Sequence, residues 1–334
     1  MVSPATPAAL AQLAENALSE WGIQGSHVEL FTQRENTVYR VVTPGREVLA
    51  LRVHRQGYHT LAELESEHAW TMALAEAGLA VPEAVPTSDG RAYAEIALPG
   101  SDETRQVGIV RWIDGIPLAR HLDEHPGDDE CARAFRGVGG IIADFHTATM
   151  AWQPPAGFTR HAWDADGFVG EAPFWGRFWE ITAATPAQRE RLSGIRDALR
   201  DQLGSLPKTG NAFGMIHADL HPDNVLVDSD ELVVIDFDDA GFGWHAFDLA
   251  ASLWDRLPAL ADRPQYEIAY DAITEGYASR RADHAHVVAL VPTFLLMRTL
   301  MLLRWIEDRP EAGFDELLPA LIPLAMSQAE ALGI

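Results

Sequence analysis

The chain has 334 residues, with 49 acidic side chains against 25 basic ones and a formal net charge of −24. That charge repels a phosphate backbone, and no Lys/Arg run gathers the few cations into a patch, so nucleic acid is not an expected partner. Hydrophobic residues make up 47% and charged residues 22%, which excludes intrinsic disorder for most of the chain and leaves ample core for two lobes.

Two composition details bear on chemistry. Lys208 is the one lysine among the basic residues, so an enzyme needing a catalytic lysine has one place to find it. Cys131 is the one cysteine, so no intrachain disulfide forms and nothing argues for an oxidising compartment. The first twenty residues contain Glu15 and Glu20 and no basic segment, unlike a signal peptide. The most apolar stretch, Val287 to Met297, is about half a membrane span and is closed by Arg298. A soluble, cytoplasmic protein with no membrane partner is expected.

In chain order, Thr6-Pro7 predicts a helix start, with apolar residues at helical spacing from Leu10 to Trp21 and a stop at Gly22. From His27 to His54 the pattern alternates, with Pro44-Gly45 between Thr37–Thr43 and Arg46–His54, which predicts one strand and then a hairpin. A helix follows over Thr60–Ala77, ended by Gly78, then short strands around the Asp89-Gly90 turn and at Gln106–Ile113. After Asp114 the chain is mainly helical, with helices predicted at Glu130–Thr149, Ala187–Leu203, Ala246–Trp254, Tyr266–Ser279, His284–Ile306 and Phe314–Ala331. Only Gly214–Ile235 interrupts them, with short apolar pieces at Val225–Val227 and Leu232–Ile235. An α+β chain is therefore expected, with a sheet-rich lobe over residues 1–113 and a helical lobe over residues 114–334.

The densest polar segment is His217-Ala-Asp219-Leu-His221-Pro-Asp-Asn224, followed by the two apolar pieces and Asp236-Phe237-Asp238-Asp239. Phosphoryl transfer needs a carboxylate to orient and deprotonate the attacking hydroxyl, plus an amide and another carboxylate to hold Mg²⁺ against nucleotide phosphates. A loop Asp, an Asn five residues later and an Asp after the next hairpin supply that set. The competing reading of His217, Asp219 and His221 as an H-x-D-x-H metal triplet of a metallohydrolase leaves Asn224 and the Asp236 strand unexplained.

This segment resembles the catalytic loop and metal-binding strand of the aminoglycoside phosphotransferase and choline kinase superfamily. Its members include aminoglycoside, choline, homoserine and hydroxylysine kinases and bacterial stress-response protein kinases, on a bilobal protein-kinase-like fold. The resemblance implies ATP and Mg²⁺ as cofactors, Asp219 as catalytic base, and Asn224 and Asp236 as metal ligands, with Asp238 a weaker third. It also implies His217 and Asp248, in Phe247-Asp248-Leu249, as structural supports of the loop. Asp239 reads equally as a solvated turn residue.

The resemblance extends from about Leu30 to Trp305. Thr32 to Val41 matches the turn over the phosphates, where Asn36 would meet phosphate, although Arg34 and Glu35 stand where related turns are small. Leu49-Ala-Leu51-Arg52-Val53 aligns with the strand whose lysine contacts the phosphates. That position is Arg52, which keeps the charge with a larger, planar group. Glu67 is the implied partner glutamate and Glu63 the fallback. Val110 to Gly115 resembles the hinge, where Arg111, Trp112 and Ile113 would meet the adenine edge.

Between Trp152 and Glu180 lie four tryptophans and four phenylalanines, with Asp164, Asp166 and Glu171 among them. Aromatic faces with carboxylates suit an amine or quaternary ammonium, although simple packing accounts for them too. Arg298 and Arg304 could reach a substrate anion or form structural salt bridges. The expected activity is ATP- and Mg²⁺-dependent transfer of the γ-phosphoryl group to a hydroxyl of a small, amine-bearing metabolite or antibiotic. A protein Ser/Thr kinase would share every nucleotide residue, and Arg52 with the glycine-free turn suits a pseudokinase.

Overall fold

In the computed structural model, residues 5–33, 36–229, 231–257, 260 and 265–334 are described, so Arg34 and Glu35 lie outside the described residues. The chain divides into two compact units. One runs to Asp114 and includes Pro154–Thr159, and the other holds Gly115–Gln153 and Arg160–Ile334. The return of 154–159 to the first unit departs from a single switch in the chain; Thr159 is tied there by its N–H, which donates to Ser66 Oγ at 2.9 Å.

In the first unit, α1 (Pro7–Ala17) starts where Thr6 Oγ1 accepts the Ala9 N–H and proline occupies the first turn. Five strands, β1 (His27–Gln33), β2 (Thr37–Val42), β3 (Val48–Val53), β4 (Tyr93–Ala97) and β5 (Thr104–Arg111), pair antiparallel in the order β1-β2-β3-β5-β4. Alternation along β2 and β3 sends Tyr39, Val41, Leu49, Leu51 and Val53 to one face, where they join Leu10, Leu13 and Ala14 of α1 in the core. Val38, Arg40, Ala50 and Arg52 stand on the opposite face, half-buried. Ahead of the Asp89-Gly90 turn, where a strand was expected, there is an isolated bridge between Ala84 and Val110. Between β3 and β4 lies α2 (Leu61–Glu76), opened by a capping box in which Thr60 Oγ1 accepts the Glu63 N–H and Glu63 accepts the Thr60 N–H.

The second unit begins with β6 (Ile116–Pro117), α3 (Leu118–Glu124) and α4 (Asp128–Ala151), then β7 (Ala162–Trp163), α5 (Ala165–Val169) and α6 (Pro186–Ser205). The strands β8 (Phe213–Ile216), β9 (Val225–Asp228), β10 (Glu231–Val234) and β11 (Gly241–Trp244) lead into α7 (Ala246–Trp254) and α8 (Tyr266–Arg280). It closes with α9 (Ala285–Val288), α10 (Val291–Glu307) and α11 (Leu318–Ala331). Two three-stranded sheets result, β10-β9-β6 and β7-β11-β8. The single helix expected over 284–306 is two, because Pro292 lacks the N–H a continuous helix requires and sits instead in the first turn of α10. The strands β6, β7 and β11 are too short to leave a pattern in the sequence.

Glycines set how α4 and α8 cross. A Cβ on Gly139 would fall on the carbonyl oxygen of Ile273, and one on Gly276 on that of Arg136. The two backbones therefore meet directly, which brings Tyr277 of α8 beside His146 of α4.

Candidate active site

The loop after β8 is shaped by one buried carboxylate. Asp248, fully buried on α7, accepts the His217 N–H at 3.1 Å and the Ala218 N–H at 2.7 Å. Those bonds hold Ala218 in the left-handed region (φ 66°), a conformation a non-glycine residue adopts only when its surroundings impose it. Burial raises the Asp248 carboxyl to about 6, against the pull of His217 and the two N–H groups. Behind it, His146 Nε2 lies 3.1 Å from Asp248, and His146 Nδ1 accepts from the Tyr277 hydroxyl at 3.0 Å. Burial holds the His146 imidazole well below its usual range, with Arg281 acting in the same direction, so the ring is neutral and donates from Nε2.

His217 is spent on the backbone. Its Nδ1 accepts the Asp219 N–H at 3.3 Å, and its Nε2 donates to the Ile235 carbonyl at 2.9 Å. It therefore ties the loop to the end of β10 and has no nitrogen left for a metal, which removes the basis of the H-x-D-x-H triplet. Among the described residues no group of three or more His, Cys, Asp and Glu side chains is arranged to hold a metal ion.

The β9–β10 register does the rest. Val225 pairs with Val234, and the Ile235 N–H donates to the Asn224 carbonyl at 2.9 Å. Asn224 and Asp236 consequently emerge at the same end of the hairpin. Asp236 is also left-handed (φ 63°). The Asn224 carboxamide donates to Asp219 twice, to its carbonyl at 2.8 Å and to Oδ2 at 3.3 Å. With its N–H groups used this way, Oδ1 is the atom Asn224 offers elsewhere, and an amide oxygen beside a carboxylate is a hard-oxygen donor set that suits Mg²⁺.

Asp219 has two further neighbours. Arg298 Nη2 donates to Oδ1 at 2.5 Å, and His221 Nε2 lies 3.6 Å from Oδ2. Burial would raise the Asp219 carboxyl, but the charges of Arg298 and His221 outweigh it and hold the group well below the usual carboxylate range. His221 is lowered by burial and raised more strongly by Asp219, with a net upward shift.

The segment after Asp236 is clamped from residues 160–163. Buried Arg160 donates from Nε to the Ala240 carbonyl at 2.5 Å and from Nη2 to the Asp238 carbonyl. Trp163 Nε1 and His161 Nε2 both engage the Asp239 carbonyl, at 2.8 and 3.1 Å. Asp238 and Asp239 are buried, so Asp239 is not the solvated turn residue that was one expectation.

In the first unit, Arg52 on β3 pairs with Val38 and Gly108. A Cβ on Gly108 would meet the Tyr93 ring at 2.9 Å, and the Tyr93 ring lies against His68 of α2 with centroids 6.5 Å apart. So α2 covers the sheet face that carries Arg52. Glu67 on α2 is buried, whereas Glu63, the fallback partner, is committed to the capping box. Asn36 Oδ1 accepts the Arg55 N–H at 2.9 Å and braces the start of β2 against the end of β3. The Arg111 guanidinium is shared by Glu47 and Glu83, and Trp112 stacks edge-on against Phe31 at 4.8 Å. The Arg111 and Trp112 N–H groups already donate to Glu83 and Val48, which leaves the Ile113 N–H as the hinge donor not engaged by a described residue.

A phosphotransferase enzyme family model matches residues 27–282, across both units. The chain belongs to the phosphotransferase enzyme family. The solved structure of a microcompartment-associated aminopropanol kinase is 30% identical to this phosphotransferase, with a TM-score of 0.77, over 96% of this chain and 94% of that one. The amicoumacin kinase of Bacillus subtilis (strain 168) is 23% identical over 301 residues, 87% of this chain and 83% of the relative. An amicoumacin kinase solved with AMP-PNP, Ca²⁺ and Ami is 17% identical, with a TM-score of 0.78, over 95% and 93% of the two chains, and shares the fold. The protein is thus a phosphotransferase whose relatives are named as kinases, with the α+β, protein-kinase-like architecture.

Two features of the phosphotransferase bear on the two readings of residues 152–180, a cationic acceptor or simple packing. Asp164, Asp166 and Glu171 are paired with Lys208 at 2.6 Å, Arg200 at 3.3 Å and Arg196 at 2.7 Å. Of the eight tryptophans and phenylalanines there, Trp163, Phe168, Trp175 and Phe178 are core, and the other four are partly buried. Of the two late arginines, Arg304 forms salt bridges with Glu307 and Asp308, while Arg298 reaches Asp219. Arg160 and His146 left no signal in the sequence, because their partners lie roughly 80 to 130 residues away and belong to no shared motif.

Proposed function

We propose that the protein transfers the γ-phosphoryl group of ATP to a hydroxyl of a small, amine-bearing metabolite or antibiotic, with Mg²⁺ and in the cytoplasm. The observation that carries the reading is the Asn224 carboxamide, which turns its N–H groups to Asp219 and so leaves its oxygen to face elsewhere, at the hairpin end from which Asp236 also emerges. These two residues would hold Mg²⁺, which when bound neutralises charge on the nucleotide phosphates. Asp219 would orient the acceptor hydroxyl and take its proton. An ion pair with Arg298 keeps Asp219 ionised but weakly basic, which suits a reaction in which positioning outweighs proton abstraction. Arg52 would grip phosphate, with Glu67 as the acid on α2, and the Ile113 backbone would meet the adenine edge. Support for ATP and a divalent ion comes from the relative solved with AMP-PNP and Ca²⁺, and for an amino alcohol from the aminopropanol kinase.

The test is incubation with ATP, Mg²⁺ and a panel of amino alcohols, hydroxy amino acids and aminoglycosides, with phosphorylated product read by ³¹P NMR. A phosphomonoester on one class of acceptor is the expected result. Phosphate incorporated only into protein would instead favour the protein kinase reading, and nucleotide binding without turnover the pseudokinase.

A further inference from the structure

Arg298 is more than the counter-ion of Asp219. It projects from α10 and is 5% exposed, with its guanidinium 5.3 Å from the centre of the Trp175 ring. One of its five N–H groups serves Asp219 Oδ1. Its Nε and Nη1 are enclosed and have no acceptor among the described residues. Buried donors left unmade are costly, and a guanidinium presents Nη1 and Nη2 as a flat fork that a carboxylate fills with two parallel bonds.

The direction of this fork follows from the way Asp219 is divided. Oδ2 faces Asn224, on the metal side, and Oδ1 faces Arg298. Arg298 therefore stands at the carboxylate oxygen that Asn224 does not engage. A free guanidinium edge beside the base is the complement of a carboxylate on a small molecule.

We propose that Arg298 is a carboxylate-binding subsite for the phosphate acceptor, so that the acceptor carries a carboxylate as well as a hydroxyl and an amine. The inference deepens the reading of the protein as a small-molecule kinase and rests on it for the location of the acceptor. Arg298 thereby does two things with one group. Nη2 holds Asp219 in place, and Nη1 fixes the acceptor so that its hydroxyl meets Asp219.

Matched pairs that differ only in the carboxylate test this: L-threonine against 1-amino-2-propanol, and L-serine against ethanolamine. The wild-type protein should favour the carboxylate member of a pair by at least about 100-fold in kcat/KM, as sites built around a buried polar anchor do. Arg298→Met and Arg298→Lys should each collapse that ratio towards one, mainly through the KM of the carboxylate member. Equal or greater activity on the decarboxylated members overturns the carboxylate subsite and leaves the kinase reading intact. So does a variant that slows both members of a pair equally, as a contact with the transferred phosphoryl group would. Calorimetry with hydroxyl-free L-2-aminobutyrate and propylamine reads the subsite without turnover. Binding of the first alone, lost in Arg298→Met, supports the anchor even if no acceptor is phosphorylated, and equal binding of both overturns it.

Discussion

Asp248 carries a consequence that can be measured as a function of pH. Its carboxyl is raised to about 6 by burial, whereas in the unfolded chain it titrates near its ordinary value of 3.8. Between those values the folded chain holds a proton that the unfolded chain has released, so this group's contribution to stability is largest at low pH and is lost as pH rises through about 6. Relative to Asp248→Asn, which does not titrate, wild-type stability should rise by up to about 3 kcal/mol from about pH 7 to about pH 4. Urea denaturation at a series of pH values measures it, and a flat or opposite trend would contradict the assignment. Single residues also show where reading the sequence works. That Asn224 meets Asp219 and shares a hairpin end with Asp236 was legible because their spacing is local and flanked by two apolar strands. Arg298 was visible only as one of two late arginines, since nothing within its own helix distinguishes a group that meets Asp219 from one that, like Arg304, pairs with Glu307.

Among the elements, the crossing of α4 and α8 supports the loop that carries Asp219 from a distance. Gly139 and Gly276 let the helices touch, Tyr277 then meets His146, His146 meets Asp248, and Asp248 fixes His217 and Ala218. A methyl group at Gly276 must displace the Arg136 carbonyl, so Gly276→Ala should cost roughly 1–3 kcal/mol in stability, as overpacking does. It should also lower kcat more than it raises the nucleotide KM, because the chain of contacts ends on the loop that carries Asp219. Chemical denaturation with steady-state kinetics checks both, and unchanged stability would mean that the helices can part freely. Both helices were legible from their spacing, but glycine inside a helix reads locally only as a weak helix former. Its purpose lies in the partner backbone, which periodicity does not reveal. The same holds for β7 and β11, two and four residues long, whose pairing is set by contacts across about 80 positions.

For the molecule as a whole, composition constrained the chemistry in an unexpected way. The one lysine, Lys208, lies in the second unit and is bound to Asp164, and the cations on the half-buried face of the first unit's sheet are Arg40 and Arg52. Among the acids, Asp164, Asp166 and Glu171 pair locally with basic side chains. That strands dominate before residue 114 and helices after it was readable because the hydrophobic period changes from 2 to 3.6 along the chain. The measurement that tests the central claim most directly compares wild type and Asp219→Asn for acceptor-dependent ATP consumption and for Mg-ATP affinity in the same preparations. Loss of turnover by roughly 100- to 10,000-fold with nucleotide affinity nearly unchanged is the result expected of a residue that acts on the acceptor hydroxyl. Substantial turnover remaining in Asp219→Asn would contradict it.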